Sequence, residues 1–275
     1  MTNHNGYKNG SAAAHAAPPA TITADIITPD RPLSVSQAKT YLKCSAQWWY
    51  NLVQPAPQTI ALAVGDAVHQ TIALAMTTKR DEGILYTPDE IHWYAMQRAA
   101  ALLQKVDCTS KQWATASDTA GDCARAWMAS QGERMNPIAI EVKAQTRIAG
   151  VHVQGNIDLI HEHAPNARTI VEVKTASGRG VPQDHTLQLA TYAQATDIQT
   201  CEVHTITKTS KPTVTVEAIT IKPRDIKHAE AVYPAIRDAM QQGIYLPNRN
   251  DILCTRRWCP HWLKCLDDFG GKVTL

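Results

Sequence analysis

Val151-His152-Val153-Gln154-Gly155-Asn156-Ile157-Asp158-Leu159-Ile160, followed by Ile170-Val171-Glu172-Val173-Lys174, is the stretch that decides the fold. Val151, Val153, Gly155, Ile157 and Leu159 alternate with His152, Gln154, Asn156, Asp158 and Ile160, the period of a strand. The second run reads as another short strand. Side chains on a strand alternate in direction, so Glu172 and Lys174 share one face. If the two strands pair, Asp158 joins them there. Two carboxylates beside a lysine suit a divalent cation and a phosphate, because the carboxylates hold the cation and the lysine offers positive charge to the anion. Taken alone, an Asp and a Glu-x-Lys on strands are usually solvated faces, so the surrounding elements carry the weight.

Upstream of the decisive strand, Ile140, Val142, Ala144, Thr146 and Ile148 alternate with Glu141, Lys143, Gln145 and Arg147. Ala149-Gly150 is a tight turn between these runs, which predicts a hairpin. A polar turn at Pro165-Asn166 leads into the Glu172 strand. A helix is expected from Asp184 to Ala195. Glu202 to Lys208 and Thr213 to Ile221 read as a further strand pair, and Ile226, Ala229, Val232, Tyr233, Ile236 and Met240 mark a late amphipathic helix. Nearer the start, Ser34 or Ser36 caps a helix through Ala38, Tyr41, Leu42, Trp48, Trp49 and Leu52, interrupted by Pro55 and Pro57. A second helix follows Gly65. Thr87-Pro88-Asp89-Glu90 is a strong start signal for a third, running to about Gln104: Thr87 caps it, Pro88 suits the first turn and Glu90 completes a capping box. A fourth contains Cys123, Trp127 and Met128 and ends before Pro137. This order predicts an α/β fold, a mixed sheet flanked by helices in one compact unit. Residues 1–31, rich in Ala, Asn, Gly, Pro and Thr, are expected to be a disordered tail, leaving a single domain over residues 32–275.

The chain has one Phe against seven Trp and eight Tyr, and a net charge of +2, too mild to argue for nucleic acid by itself. No apolar run reads as a membrane span or a secretory signal, so the expected place is a reducing cytoplasm with no membrane partner. Seven cysteines, unevenly spaced, fit metal ligation better than a disulfide framework. Cys254, Cys259 and Cys265 lie close in sequence, and Cys44 supplies a fourth thiol only if the chain ends meet. Four thiolates fit either an iron–sulfur cluster or tetrahedral zinc, and spacing does not choose. Cys108, Cys123 and Cys201 read as core thiols. Trp48-Trp49-Tyr50 is expected to pack rather than to stack on bases.

Gly65-Asp66-Ala67-Val68-His69 stands before the decisive strands, Gln188-Leu189-Ala190-Thr191-Tyr192 after them, and the cysteines at both ends. In this order the set resembles the RecB-like branch of the PD-(D/E)xK nuclease superfamily, over about Leu33 to Cys265. That branch includes the AddB nuclease domain, CRISPR-associated RecB-like exonucleases and many phage exonucleases. The resemblance implies a restriction-endonuclease-like mixed sheet with a helical, cysteine-rich iron–sulfur lobe. It implies a metal-dependent DNA exonuclease acting on single strands or duplex ends, in recombination, repair, replication or CRISPR spacer processing. Asp158, Glu172 and Lys174 would be catalytic. His69, Asp158, Glu172 and the carbonyl of Val173 would hold Mg2+ or Mn2+. Gln188 and Tyr192 would form a helical Gln-x-x-x-Tyr motif that contacts nucleic acid or supports the lysine.

The same resemblance assigns Cys44, Cys254, Cys259 and Cys265 to a [4Fe–4S] cluster that ties the N-terminal helix to the C-terminal tail. Its best-known spacing puts two residues between the first pair of the late trio, where this chain has four, so Cys254 departs from the pattern. There is no Gly-x-x-x-x-Gly-Lys loop, so any unwinding must come from elsewhere. A helicase or CRISPR integration proteins are the expected partners, in a prokaryotic cell or phage-infected host. The alternative is a non-catalytic DNA-end-binding or assembly subunit that retains the fold. The presence of His69, Asp158, Glu172 and Lys174 argues against it. Glu141 and the loop residue Arg179 receive no role.

Overall fold

The computed structural model describes residues 31–177 and 185–274. The expected tail up to residue 30, Arg179 and the Asp184 helix start lie outside the described residues. Arg31 belongs to the folded unit, since its carbonyl accepts from Arg237 Nη2 at 2.8 Å.

After β1 (Leu33–Ser34), Ser34 caps α1 (Val35–Lys43) through a reciprocal box with Gln37. The expected single helix then breaks at Cys44, whose backbone is extended at φ −159° and ψ 102°. The Cys44 Sγ accepts from the Gln47 N–H at 3.4 Å, doing for α2 (Ser45–Val53) what a serine does at other caps. The second helix also departs from expectation. α3 (Ile60–Glu82) begins five residues before Gly65, with Thr59 as its cap. Gly65 sits inside it because a Cβ there would lie 3.1 Å from Thr175 Oγ1, so the glycine allows helix and sheet to close up. At 23 residues α3 is long and apolar enough to cross a membrane by length and composition, contrary to the reading that no such run exists. Its Val64, Val68, Ile72 and Met76 are buried in a core shared with α4 (Pro88–Leu103) and α5 (Ser110–Gln131), which accounts for the apolar run. The Thr87–Glu90 capping box forms as read.

A six-stranded sheet follows, in the order β1-β3-β4-β5-β6, with β2 on the other side of β3. β2 (Pro137–Ile148) and β3 (Val151–Ala164) form the predicted hairpin, turning through Ala149 and Gly150 at φ 44° and 84°. β4 (Ala167–Ala176) is antiparallel to β3 and parallel to β5 (Thr200–Thr207), with α6 (Thr186–Thr196) as the crossover. β6 (Val214–Thr220) closes the edge, and α7 (Pro223–Gln241) leads to the tail and to α8 (Trp262–Phe269). One face of the sheet packs Leu159, Val171, Val173 and Ile206 against α3–α5. The other packs Val153, Ile157, Ile170 and Val203 with residues of α1, α6 and α7. The result is a mixed sheet between helical layers.

Two departures from regular pairing make the site. The β3–β4 ladder ends at Leu159↔Val171, and beyond it β1 takes the same edge of β3 at Val153 and Gln154. The β3 edge between these points, which includes Asp158, Asn156 and Gly155, therefore opens into a fork. At the same level β2 carries Glu141 at φ 50°, between the pairs Ile140↔Leu159 and Val142↔Ile157. Val142 and Ile157 pack toward one face and Ile140 and Leu159 toward the other. A left-handed residue within a strand locally re-aims the pleat, and here it does so beside the fork.

Candidate active site

Asp158 stands where the two strands part. Its Oδ2 accepts from the Val173 N–H at 2.7 Å, bridging the gap that the ladder leaves. Its Oδ1 lies 3.4 Å from His69 Nδ1. His69 comes from α3, one turn after Gly65, so the close approach at Thr175 brings the ring to the fork. Burial works against the imidazolium, but the Asp158 contact and charge outweigh it and raise the His69 pKa.

Glu172 is 3% exposed. Its Oε1 accepts from Lys174 Nζ and, at 2.7 Å, from Gln188 Nε2. Its Oε2 is buried and has no hydrogen-bond partner among the described residues. Burial first, and then the nearby Asp158 carboxylate, raise the Glu172 pKa despite the opposing pull of Lys174. Such a buried acceptor is costly unless a further positive partner meets it. Val173, between Glu172 and Lys174, turns its side chain into the α3–α5 core and gives its N–H to Asp158.

Gln188 and Tyr192 are both buried, one helical turn apart on α6. Gln188 Nε2 also donates to the Tyr192 hydroxyl at 2.9 Å, and that hydroxyl donates to the Asn156 carbonyl at 2.6 Å. Their polar ends thus hold Glu172 and the free edge of β3 together. Burial, then the Glu172 charge, push the Tyr192 phenol upward, so it stays a donor. Gly155 makes room for this ring: a Cβ would meet Tyr192 Cε1 at 2.6 Å and Val35 Cγ2 at 3.2 Å.

Glu141, which received no role, lies beside the same centre. Its carboxyl is raised by partial burial and then by Asp158, with His69 opposing. Lys39 from α1 reaches Gln188 Oε1 at 3.5 Å. Neither was marked in the sequence: the strand pattern hides the φ 50° backbone at Glu141, and Lys39 lies 149 residues from Gln188.

The four remaining predicted residues come together elsewhere. Cys44, Cys254, Cys259 and Cys265 line one cavity, with Lys43, Tyr50 and Arg249. All four are free thiols. Burial pushes the Cys265 thiol to about 11, with Arg249 opposing and the other three cysteines adding to the rise. The chain ends do meet: Ala46 N–H donates to the Leu246 carbonyl at 3.2 Å, Asn248 N–H to Cys44 Sγ at 3.4 Å and Tyr50 to Asp268 at 2.8 Å. Trp48 and Trp49 both stack on Tyr245, as packing residues do. Cys123 and Cys201 are buried and Cys108 is half-buried.

Among the described residues, no group of three or more His, Cys, Asp or Glu side chains is drawn into a coordination shell. The expected ligand set His69, Asp158 and Glu172 is therefore near one centre without converging on a point. The physical reason is that these donors partner each other, Lys174, Gln188 and the Val173 N–H.

A sequence model described as the PD-(D/E)XK nuclease superfamily matches residues 32–265. Among solved structures, a protein from Eubacterium rectale provisionally described as an exonuclease is similar, with a TM-score of 0.52 and 15% identity. The similarity covers 90% of this chain and 91% of that one, and at this identity it speaks for the fold. The structure of SSO0001 is more distant, with a TM-score of 0.40 and 13% identity over 74% of this chain and 96% of that one. No curated protein matches the chain.

Proposed function

The chain belongs to the PD-(D/E)XK nuclease superfamily, and on that premise we propose that it is a metal-dependent DNA nuclease working from strand ends through Asp158, Glu172 and Lys174. One observation carries the reading. Among the described residues the buried Glu172 Oε2 has no hydrogen-bond partner, beside Asp158 and next to a lysine, in a fork of the sheet. That is the donor chemistry a hard divalent cation fits: two carboxylates, with the His69 imidazole and the Val173 carbonyl as further ligands. When bound, Mg2+ or Mn2+ neutralises phosphate oxygens and lowers the pKa of an attacking water. Gln188 fixes the Glu172 rotamer. Lys174 gives its charge to the phosphate and orients the nucleophile.

The finer reading of the cysteine cavity is a [4Fe–4S] cluster. The donors fit in kind, since four thiols face one cavity and the Cys44 sulfur accepts from the Gln47 and Asn248 N–H groups at 3.4 Å each. Its role here is structural, joining α2 to the tail so that metal binding becomes folding free energy. Action on single strands or frayed ends, and service to a helicase or to CRISPR integration proteins, follow from the RecB-like resemblance.

The test is hydrolysis of end-labelled linear DNA and of circular single strands. The expected result is mononucleotides or short products from linear DNA with Mg2+ or Mn2+, none with EDTA, and none from Asp158→Ala that melts like the wild type. Cleavage of circles as fast as of linear strands would overturn the requirement for ends. Undiminished cleavage by Asp158→Ala would overturn the site.

A further inference from the structure

Beside the fork runs a groove of about 470 Å3. Three lysines line it: Lys39 from α1, Lys143 from β2 and Lys174 from β4. No Asp or Glu is among its described lining residues. Its floor is the freed edge of β3 at Gly155 and Asn156, and Lys143 is the ladder partner of Asn156. Among the described residues the only ring lining it is Tyr192, which is 2% exposed and held by Gln188 and the Asn156 carbonyl.

The geometry points to a phosphate-tracking channel that takes one strand of nucleic acid by its backbone, with Lys39 and Lys143 as positioning residues. This rests on the nuclease reading of the fork. The volume is that of a small-molecule pocket, room for a short stretch of one strand's backbone. Lys174 is already paired with Glu172, so Lys39 and Lys143 supply the positive charge of an otherwise polar lining, which suits phosphates that carry no sequence information. A stacking platform needs an exposed aromatic face, and the single ring among the described lining residues is buried, so these residues grip the backbone rather than the bases. Lys39 is also 3.5 Å from Gln188 Oε1, whose amide holds Glu172. Charge in the groove and the carboxylate of the fork are thus two bonds of one chain of contacts.

The experiment is fluorescence anisotropy of a labelled oligothymidylate and a mixed-sequence strand of equal length. Binding is measured in EDTA, so that cleavage is absent, between about 50 and 200 mM salt. Lys39→Gln and Lys143→Gln should each lower the slope of log affinity against log salt by about 0.7, the single-strand value per phosphate contact. Lys39→Arg should restore the slope, and Lys111→Gln, an exposed lysine on α5, should leave it unchanged. The two strands should bind alike. Unchanged slopes in both groove variants, equal losses in Lys111→Gln, or a clear preference for one base sequence would overturn the channel. Unchanged slopes in an enzyme that cleaves with Mg2+ would sink the channel and leave the nuclease reading. Lowered slopes in a wild type that never cleaves would do the reverse.

Discussion

At the fork, each carboxylate is held by a neighbour: Glu172 by Gln188 and Lys174, Asp158 by Val173 and His69. The cysteine lobe is built differently. Its own core is Ala46, Tyr50 and Cys265, while Leu246, Ile252, Trp258 and Leu263 are exposed around it. The fork inherits its order from two large cores on either side of a sheet. The lobe gathers four free thiols and has little apolar burial of its own. The fork is rigid by packing; under the proposed function the lobe would be held by what joins its thiols.

That contrast breaks first at the fork if it is wrong. Glu172→Gln and Lys174→Ala should each lower turnover by roughly 10^2- to 10^3-fold, the cost of removing one group that meets developing charge. Both variants should still fold cooperatively, because the surrounding cores are untouched, so the loss is one of turnover per folded molecule. The lobe should behave in the opposite way. Cys44→Ser, Cys259→Ser and Cys265→Ser should each abolish iron and sulfide in anaerobically purified protein and leave the tail protease-sensitive, whereas Cys123→Ser keeps the metal. Elemental analysis and limited proteolysis read this directly. Stoichiometric zinc in a colourless protein would replace the cluster, and full metal in Cys44→Ser would remove Cys44 from the ligand set.

A smaller effect belongs to the packing that supports the fork. Gly155→Ala drives a methyl into Tyr192 Cε1 and should cost about 1–3 kcal/mol in chemical denaturation. The smallest is a pH slope. The folded protein keeps the Glu172 proton to higher pH than the unfolded chain, because burial and then Asp158 raise its pKa. Stability in EDTA should therefore fall as pH rises from the ordinary carboxylate range through that raised value. Glu172→Gln should flatten the slope, read as denaturation midpoints across pH.

Much of this was legible in the residues. The hairpin, the Glu172 strand, the capping box at Thr87 and the late helix follow from period and caps, which are local. That Glu172 and Lys174 share a face follows from strand alternation, whereas Asp158 sits where that alternation breaks, with Ile157 packed on one face and Leu159 on the other. What the sequence hid was non-local or irregular. Cys44 breaks a helix that periodicity carries straight through, because the break is fixed by contacts with Leu246 and Asn248 some two hundred residues away. The parting of β3 from β4 and the φ 50° backbone at Glu141 leave no trace in a hydrophobic pattern. Lys39 and Lys143 read as ordinary surface charges until α1 and β2 are folded around one groove.

The central claim is that the fork holds a divalent cation through Glu172 and Asp158, and Mn2+ titration followed by electron paramagnetic resonance tests it most directly. Wild-type protein should take up Mn2+ at a site that Glu172→Gln and Asp158→Asn each weaken by at least about tenfold, with Cys123→Ser as an unaffected control. Uptake by Glu172→Gln indistinguishable from wild type would contradict the account.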